Sequence, residues 1–116
     1  MDFTCILDSK LYVKNNKRYI DLLLPYDVLE RVSRIHVSCA SQLVKDRIQM
    51  PLNDRVLTVK VPFRNNRVSC LVKGHKTIYE MEVGETVDVK IQWCGVWEFK
   101  DFCGVAWKLS QLSLPN

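Results

Sequence analysis

The sequence predicts one mostly β domain over residues 1–116, with a single helix and a small closed or partly open β-barrel. Short stretches of alternating apolar and polar residues recur along the chain, and asparagine pairs and glycines separate them. Only one segment has helical spacing. The chain has 116 residues, 47% of them hydrophobic, so it can bury a core without metals or disulfides. About six short strands and one helix favour a barrel.

Two asparagine pairs predict two β-hairpins. The turns are Lys14-Asn15-Asn16-Lys17, between strands 11–13 and 18–22, and Arg64-Asn65-Asn66-Arg67, between strands 56–63 and 68–73. Asparagine tolerates the positive φ angles that a tight hairpin turn needs. Pro62 indicates that its strand lies at an edge or ends there.

The helix is predicted to begin at Asp27 as N-cap, with Glu30 as its capping-box partner. Apolar residues at helical spacing follow. The pattern allows the helix to end near Ser38 or to continue towards Ile48. The alternation over residues 35–39 also fits a short strand.

A meander of strands is predicted for the last third of the chain. Residues 77–83 lead to a turn at Gly84, and alternation then runs through residues 87–93 and 97–99. Lys100 and Asp101 form a tight connection to a last strand that ends near residue 114.

Charge and cysteine usage restrict the class of protein. The net charge of +4 is mildly basic and permits a polyanionic partner without requiring one. The N-terminus does not have the pattern of a signal peptide, and no apolar stretch is long enough for a membrane helix. We therefore expect an intracellular protein, in cytosol or nucleus, without a membrane partner. The five cysteines have irregular spacing and include no CxxC pair, so we expect reduced thiols, no metal and no cofactor.

No catalytic constellation is present in the sequence. It contains no nucleophile elbow, no zinc-protease motif and no glycine-rich phosphate loop, and neither histidine has an obvious partner. We therefore expect a protein that is not an enzyme.

Aromatic residues concentrate near the C-terminal end. The strand alternation places Trp93 and Trp107 on the core side, and Trp97 and Phe99 together on an exposed face. Lysines are interleaved with these rings, Lys100 and Lys108 among them. Flat rings that stack bases, together with cations that neutralise phosphates, are the requirements for binding a single nucleic-acid strand.

A second basic set surrounds the two asparagine turns. It comprises Lys14, Lys17 and Arg18 at the first turn and Arg64 and Arg67 at the second, with Tyr12 and Tyr19 flanking the first. Such tips can simply keep a protein soluble. Two of them on one small barrel would also suit a clamp around a DNA strand, with the tyrosines available for stacking.

The C-terminal strands carry a resemblance to a known family. Residues 91–99 (IQWCGVWEF) and 104–112 (GVAWKLSQL) resemble the closing strands of small OB-fold single-stranded DNA-binding proteins of viruses and phages. The resemblance implies an OB-like barrel that coats exposed strands during genome replication, without sequence preference. It also implies self-association or replication proteins as partners. The chain ends in Ser113-Leu114-Pro115-Asn116 and not in the acidic tail of many such proteins.

Two alternatives stay open. The barrel could be a protein-interaction or assembly subunit, with Trp97 and Phe99 buried against a partner. It could also be an OB domain that binds RNA.

Overall fold

Five strands hydrogen-bond into a ring in the computed structural model, which describes residues 1–115. The strands of the chain are β1 (Asp2–Leu7), β2 (Tyr12–Lys14), β3 (Lys17–Leu23), β4 (Arg47–Gln49), β5 (Leu52–Asn53), β6 (Val56–Val61), β7 (Phe63–Arg64), β8 (Arg67–Val68), β9 (Leu71–Lys73), β10 (Thr86–Phe99) and β11 (Phe102–Ser113). The α-helix, α1, is Tyr26–Ser38, and short 3-10 helices cover Ala40–Gln42 and Ile78–Glu80. The prediction of a mostly β protein with one helix is confirmed.

The ring runs in the order β1, β3, β6, β11, β10 and back to β1. All of its pairings are antiparallel except that of β6 with β11, which is parallel and consists of the single pair Lys60–Lys108. Side chains of the five strands alternate between a buried and a more exposed side, and the buried ones fill the inside of the ring. Other strands attach outside it: β2 pairs with β3, β5 with β6, and β4 and β9 with the two ends of β11.

Both asparagine turns form as predicted. Asn15 and Asn16 have φ angles of 51° and 62°, and Asn65 and Asn66 have 53° and 62°. Positive φ at both central residues is the signature of a type I′ hairpin turn, whose twist matches that of the flanking strands.

The strands predicted for the second hairpin are wrong. Only β7 and β8 pair across that turn, while β6 pairs with β3 and β9 pairs with β11. Pro62 has no N–H to donate, so β6 ends at Val61 and its ladder does not continue into the turn.

Helix α1 ends at Ser38, which excludes both the continuation to Ile48 and the short strand over residues 35–39. Its N-cap is Pro25, so the predicted cap at Asp27 is wrong by two positions. Asp27 lies in the first turn instead, where a carboxylate favours the positive end of the helix dipole. The helix begins earlier because Pro25 has no N–H that would be left unpaired at a helix start.

Two further differences concern the last third of the chain. Residues 77–83 do not form a strand; they contain a 3-10 helix that Thr77 and Glu80 cap reciprocally. Residues 86–99 form one continuous strand, since Gly95, with a φ of 88°, lies in a β-bulge and not in a turn.

The tryptophans on the core side meet His36 from the helix. Trp107 is only 2% exposed, and its ring lies edge-on to the half-buried ring of Trp93, with 4.9 Å between centroids. The Trp107 indole N–H donates to Nε2 of His36 over 3.0 Å. This bond requires a neutral imidazole, and burial lowers the pKa of His36 below its ordinary value of 6.5.

Gly104 lets β4 and Trp97 approach β11 closely. A Cβ at this position would lie 2.1 Å from the backbone oxygen of Gln49 and 2.8 Å from the Trp97 ring.

Among the residues that the structure describes, no helix is long and apolar enough to cross a bilayer.

Acid should destabilise the protein through His36. In the unfolded chain the His36 imidazole binds a proton near pH 6.5, whereas in the folded chain it does so only at lower pH. The free energy of unfolding should therefore fall as the pH drops below about 6.5. Urea unfolding between pH 7 and 5, followed by tryptophan fluorescence, measures this. His36→Gln, which does not titrate, should flatten the profile. A His36→Gln profile as steep as that of the wild type would contradict the assignment.

Gly104→Ala should destabilise the protein by about 1–3 kcal/mol, because the new methyl group has to displace β4 or the Trp97 ring. Urea midpoints give the loss of stability. The native emission of the variant should shift to the red as Trp97 moves into water. An unchanged midpoint together with unchanged emission would show that the close approach at Gly104 does not restrict this position.

Candidate nucleic-acid interface

One row of paired residues crosses five neighbouring strands on the outside of the ring. Tyr12 pairs with Tyr19, Tyr19 with Lys60, Lys60 with Lys108, and Lys108 with Gln92. Paired residues of a ladder project on the same side of the sheet. The apolar residues next to this row on β3, β6 and β11 are buried, so the row faces outward. We call these five residues the outer row.

The positive charge of the outer row continues to the first asparagine turn. Lys14 and Lys17 are directly opposite each other and project on the same face as Tyr12 and Tyr19. Like charges in this position destabilise a hairpin. Within residues 1–115, none of Lys14, Lys17, Lys60 and Lys108 forms an ion pair.

Lys60 lies at the centre of this charge. Burial lowers the pKa of Lys60, and the nearby Lys17 ammonium lowers it further. Both effects disfavour the charged ammonium, and a bound anion would counteract them by stabilising the positive charge. The position is therefore suited to a phosphate.

The two tyrosines of the outer row are held in place. Their ring centroids are 5.9 Å apart, with 31° between the planes. The Tyr12 hydroxyl donates to Oδ1 of Asp21 over 2.8 Å, and the Thr58 hydroxyl donates to the same oxygen, also over 2.8 Å. Burial and the Asp21 carboxylate raise the pKa of Tyr12 to about 12. Asp21 projects on the same face as the lysines, where its carboxylate orients Tyr12 and offsets one of the positive charges.

A second group of rings lies farther along β10. Trp97 pairs with Gly104 and Phe99 with Phe102, and both rings project on one side of the strand, as predicted. Trp97 is half-buried because one face of its ring covers Gly104. Phe99 is 65% exposed, and the Lys100 ammonium lies 5.3 Å from its centroid. Phe99 therefore offers the most accessible aromatic surface of this group.

These rings stand at some distance from the lysines. Phe102 precedes Lys108 by six residues on β11, which corresponds to roughly 20 Å along a strand. A ligand that contacts both groups has to extend along the β10–β11 hairpin.

The three arginines predicted for the site are not part of the outer row. Arg18 projects on the other side of β3, where its guanidinium lies 4.1 Å from the Phe63 ring centroid and donates to the Asn16 carbonyl. Arg64 and Arg67 are directly opposite each other on the separate β7–β8 sheet. The Arg18–Phe63 contact places both asparagine turns at the same end of the ring. The contact joins the base of one hairpin to the base of the other.

Sequence reasoning missed Lys60 and Gln92. A signal for Lys60 was present, because it alternates with the apolar residues of β6 and so had to face outward. What the sequence could not supply was the pairing of β6 with both β3 and β11, which places Lys60 between Tyr19 and Lys108.

Among residues 1–115, no group of three or more His, Cys, Asp or Glu side chains could hold a metal ion. In comparisons with known proteins, the chain matches no protein-family model, no curated protein and no solved structure.

Proposed function

We propose that this protein is an OB-like barrel that binds single-stranded DNA without sequence preference and acts inside the cell in genome replication of the viral type. The observation that carries the proposal is the outer row, in which tyrosines and lysines from five strands share one face. The role in replication follows from the resemblance of the C-terminal strands.

The topology supports the OB-like part of the proposal. An OB-fold is a five-stranded, partly open barrel that binds oligonucleotides on its second and third strands and on the loops between strands one and two and between four and five. Counted along the chain, the second and third ring strands are β3 and β6, which carry Tyr19 and Lys60. The first loop contains β2 with Tyr12 and Lys14, and the last loop follows Phe99.

The chemistry of the face supports a single strand as the ligand. The unpaired ammonium groups of Lys14, Lys17, Lys60 and Lys108 would neutralise phosphates. Bases would stack on the exposed ring of Phe99 and on Tyr19, each stack contributing about 1–3 kcal/mol. A base in a duplex is already stacked, so only a single strand can use these rings. Stacking does not distinguish bases, which accounts for binding without sequence preference.

Titration with oligo(dT) at several salt concentrations tests the proposal directly. Four lysine–phosphate contacts should give a slope of about −3 in a plot of log K against log salt, at about −0.7 per contact on a single strand. Lys60→Gln should weaken binding and reduce the slope by about 0.7. Lys10→Gln is the matched control, since Lys10 is exposed and paired with Glu82 away from the outer row.

The outcomes separate the alternatives. No binding at low salt would overturn the proposal. Binding that hardly responds to salt would indicate an apolar interface, as expected for a protein-interaction subunit. Tighter binding of oligo(rU) than of oligo(dT) would assign the face to RNA.

Phe99→Leu should lower the affinity for oligo(dT) about 5-fold or more, because leucine retains apolar area but has no ring for a base to stack on. The high exposure of Phe99 means that the fold should not change, which the urea midpoint can check. Phe99→Tyr should bind like the wild type. If leucine binds as well as phenylalanine, Phe99 does not stack on a base.

A further inference from the structure

A cavity lies beside the second asparagine turn, away from the outer row. It has a volume of about 550 Å³ and is bordered by β8, β9 and the segment that contains the 3-10 helix Ile78–Glu80. Ligand pockets typically have 300–1,000 Å³. Its apolar lining includes Val68, Cys70, Val72 and Ile78. We call it the hairpin pocket.

The rim of the hairpin pocket favours an anion. Arg67 lies at the rim and is directly opposite Arg64, and neither forms an ion pair within residues 1–115. The acidic side chains nearby compensate this charge only in part, because Glu80 offsets one of the two arginines. Glu80 accepts the Thr77 N–H over 3.1 Å, which lowers the pKa of Glu80, and Glu85 pairs with Lys76. Positive charge at the rim is therefore not fully compensated.

The same rim offers a flat ring. Tyr79 borders the pocket and is 56% exposed, although it is adjacent in sequence to the buried Ile78. These features match the chemistry of a nucleotide. The ring and the apolar lining suit the two faces of a base, and Arg67 suits the phosphate.

We propose that the hairpin pocket takes one nucleotide unit of a bound single strand, with the base between Tyr79 and the apolar lining and the phosphate on Arg67. This inference rests on the proposed function. The fold supports the route, because the Arg18–Phe63 contact at 4.1 Å places the β7–β8 hairpin at the same end of the ring as Lys14 and Lys17. Arg18 projects on the side of β3 opposite to the outer row, so a strand that leaves the outer row would reach the pocket by turning around this end of β3.

Cys70 provides a probe inside the pocket. It is half-buried and lines the cavity, while Cys94 is exposed elsewhere and the other three cysteines are buried. In a Cys94→Ser variant, alkylation by N-ethylmaleimide can be followed at Cys70 by peptide mass spectrometry. Bound dT12 should slow the alkylation of Cys70 about 5-fold or more. A fully abasic 12-mer, which has the phosphates without the bases, should protect Cys70 much less.

Anisotropy of labelled dT12 in the same samples separates two kinds of failure. If dT12 binds and Cys70 reacts at its unprotected rate, the pocket is empty in the complex; this inference fails and the proposed function stands. If dT12 does not bind at low salt, both fail. Equal protection by the abasic oligomer would also overturn the inference, because no base would occupy the pocket.

Tyr79 variants test the base contact without a chemical probe. Tyr79→Leu should weaken dT12 binding about 5-fold, and Tyr79→Phe, which keeps the ring, should bind like the wild type. Equal binding by the leucine variant would contradict the assignment of Tyr79 as a stacking partner.

Discussion

The single parallel contact between β6 and β11 is the constraint on which the ring depends. The pair Lys60–Lys108 closes the five strands into a ring; without it they would form an unclosed sheet with β6 and β11 as its last ring strands. Closure leaves the buried faces of all five strands around one core. It also brings two lysines from distant parts of the chain side by side, although like charges in neighbouring strands repel. If the ring were open, β6 and β11 would lie far apart and so would Lys60 and Lys108. Closure of the ring holds the two lysines together.

Local features of the fold could be predicted from the sequence. Paired asparagines at residues 15–16 and 65–66 determine their turns through backbone sterics alone, and alternation identifies β6, β10 and β11. Which strand pairs with which is a different question, since the pairing depends on contacts between residues far apart in the chain. Two alternating stretches on either side of Arg64 to Arg67 therefore suggested a long hairpin, whereas β6 and β9 have other partners.

The candidate site likewise contains residues that the sequence could group together and residues that only the pairing of distant strands brings together. Tyr12, Tyr19 and the first turn are close in sequence, so their common face could be predicted from the hairpin. The outer row could not, because Lys60 and Gln92 join it only through ring closure. Arg18 shows the converse: it is adjacent in sequence to Lys17, yet it projects from the opposite side of β3 and stacks on Phe63. Successive side chains of a strand project on opposite sides, so two cations that are adjacent in sequence do not share a face.

Repulsion between like charges at the two asparagine turns also bears on function. Lys14–Lys17 and Arg64–Arg67 are like-charge pairs placed directly across two turns of the same type. Each pair opposes the hairpin that it closes, and an acidic residue at one position of either pair would remove the repulsion. Both turns lie at one end of the ring, so their charges add. The polyanionic strand proposed above would relieve all of this repulsion at once, because its phosphates are connected and would reach successive cations without further loss of translational freedom.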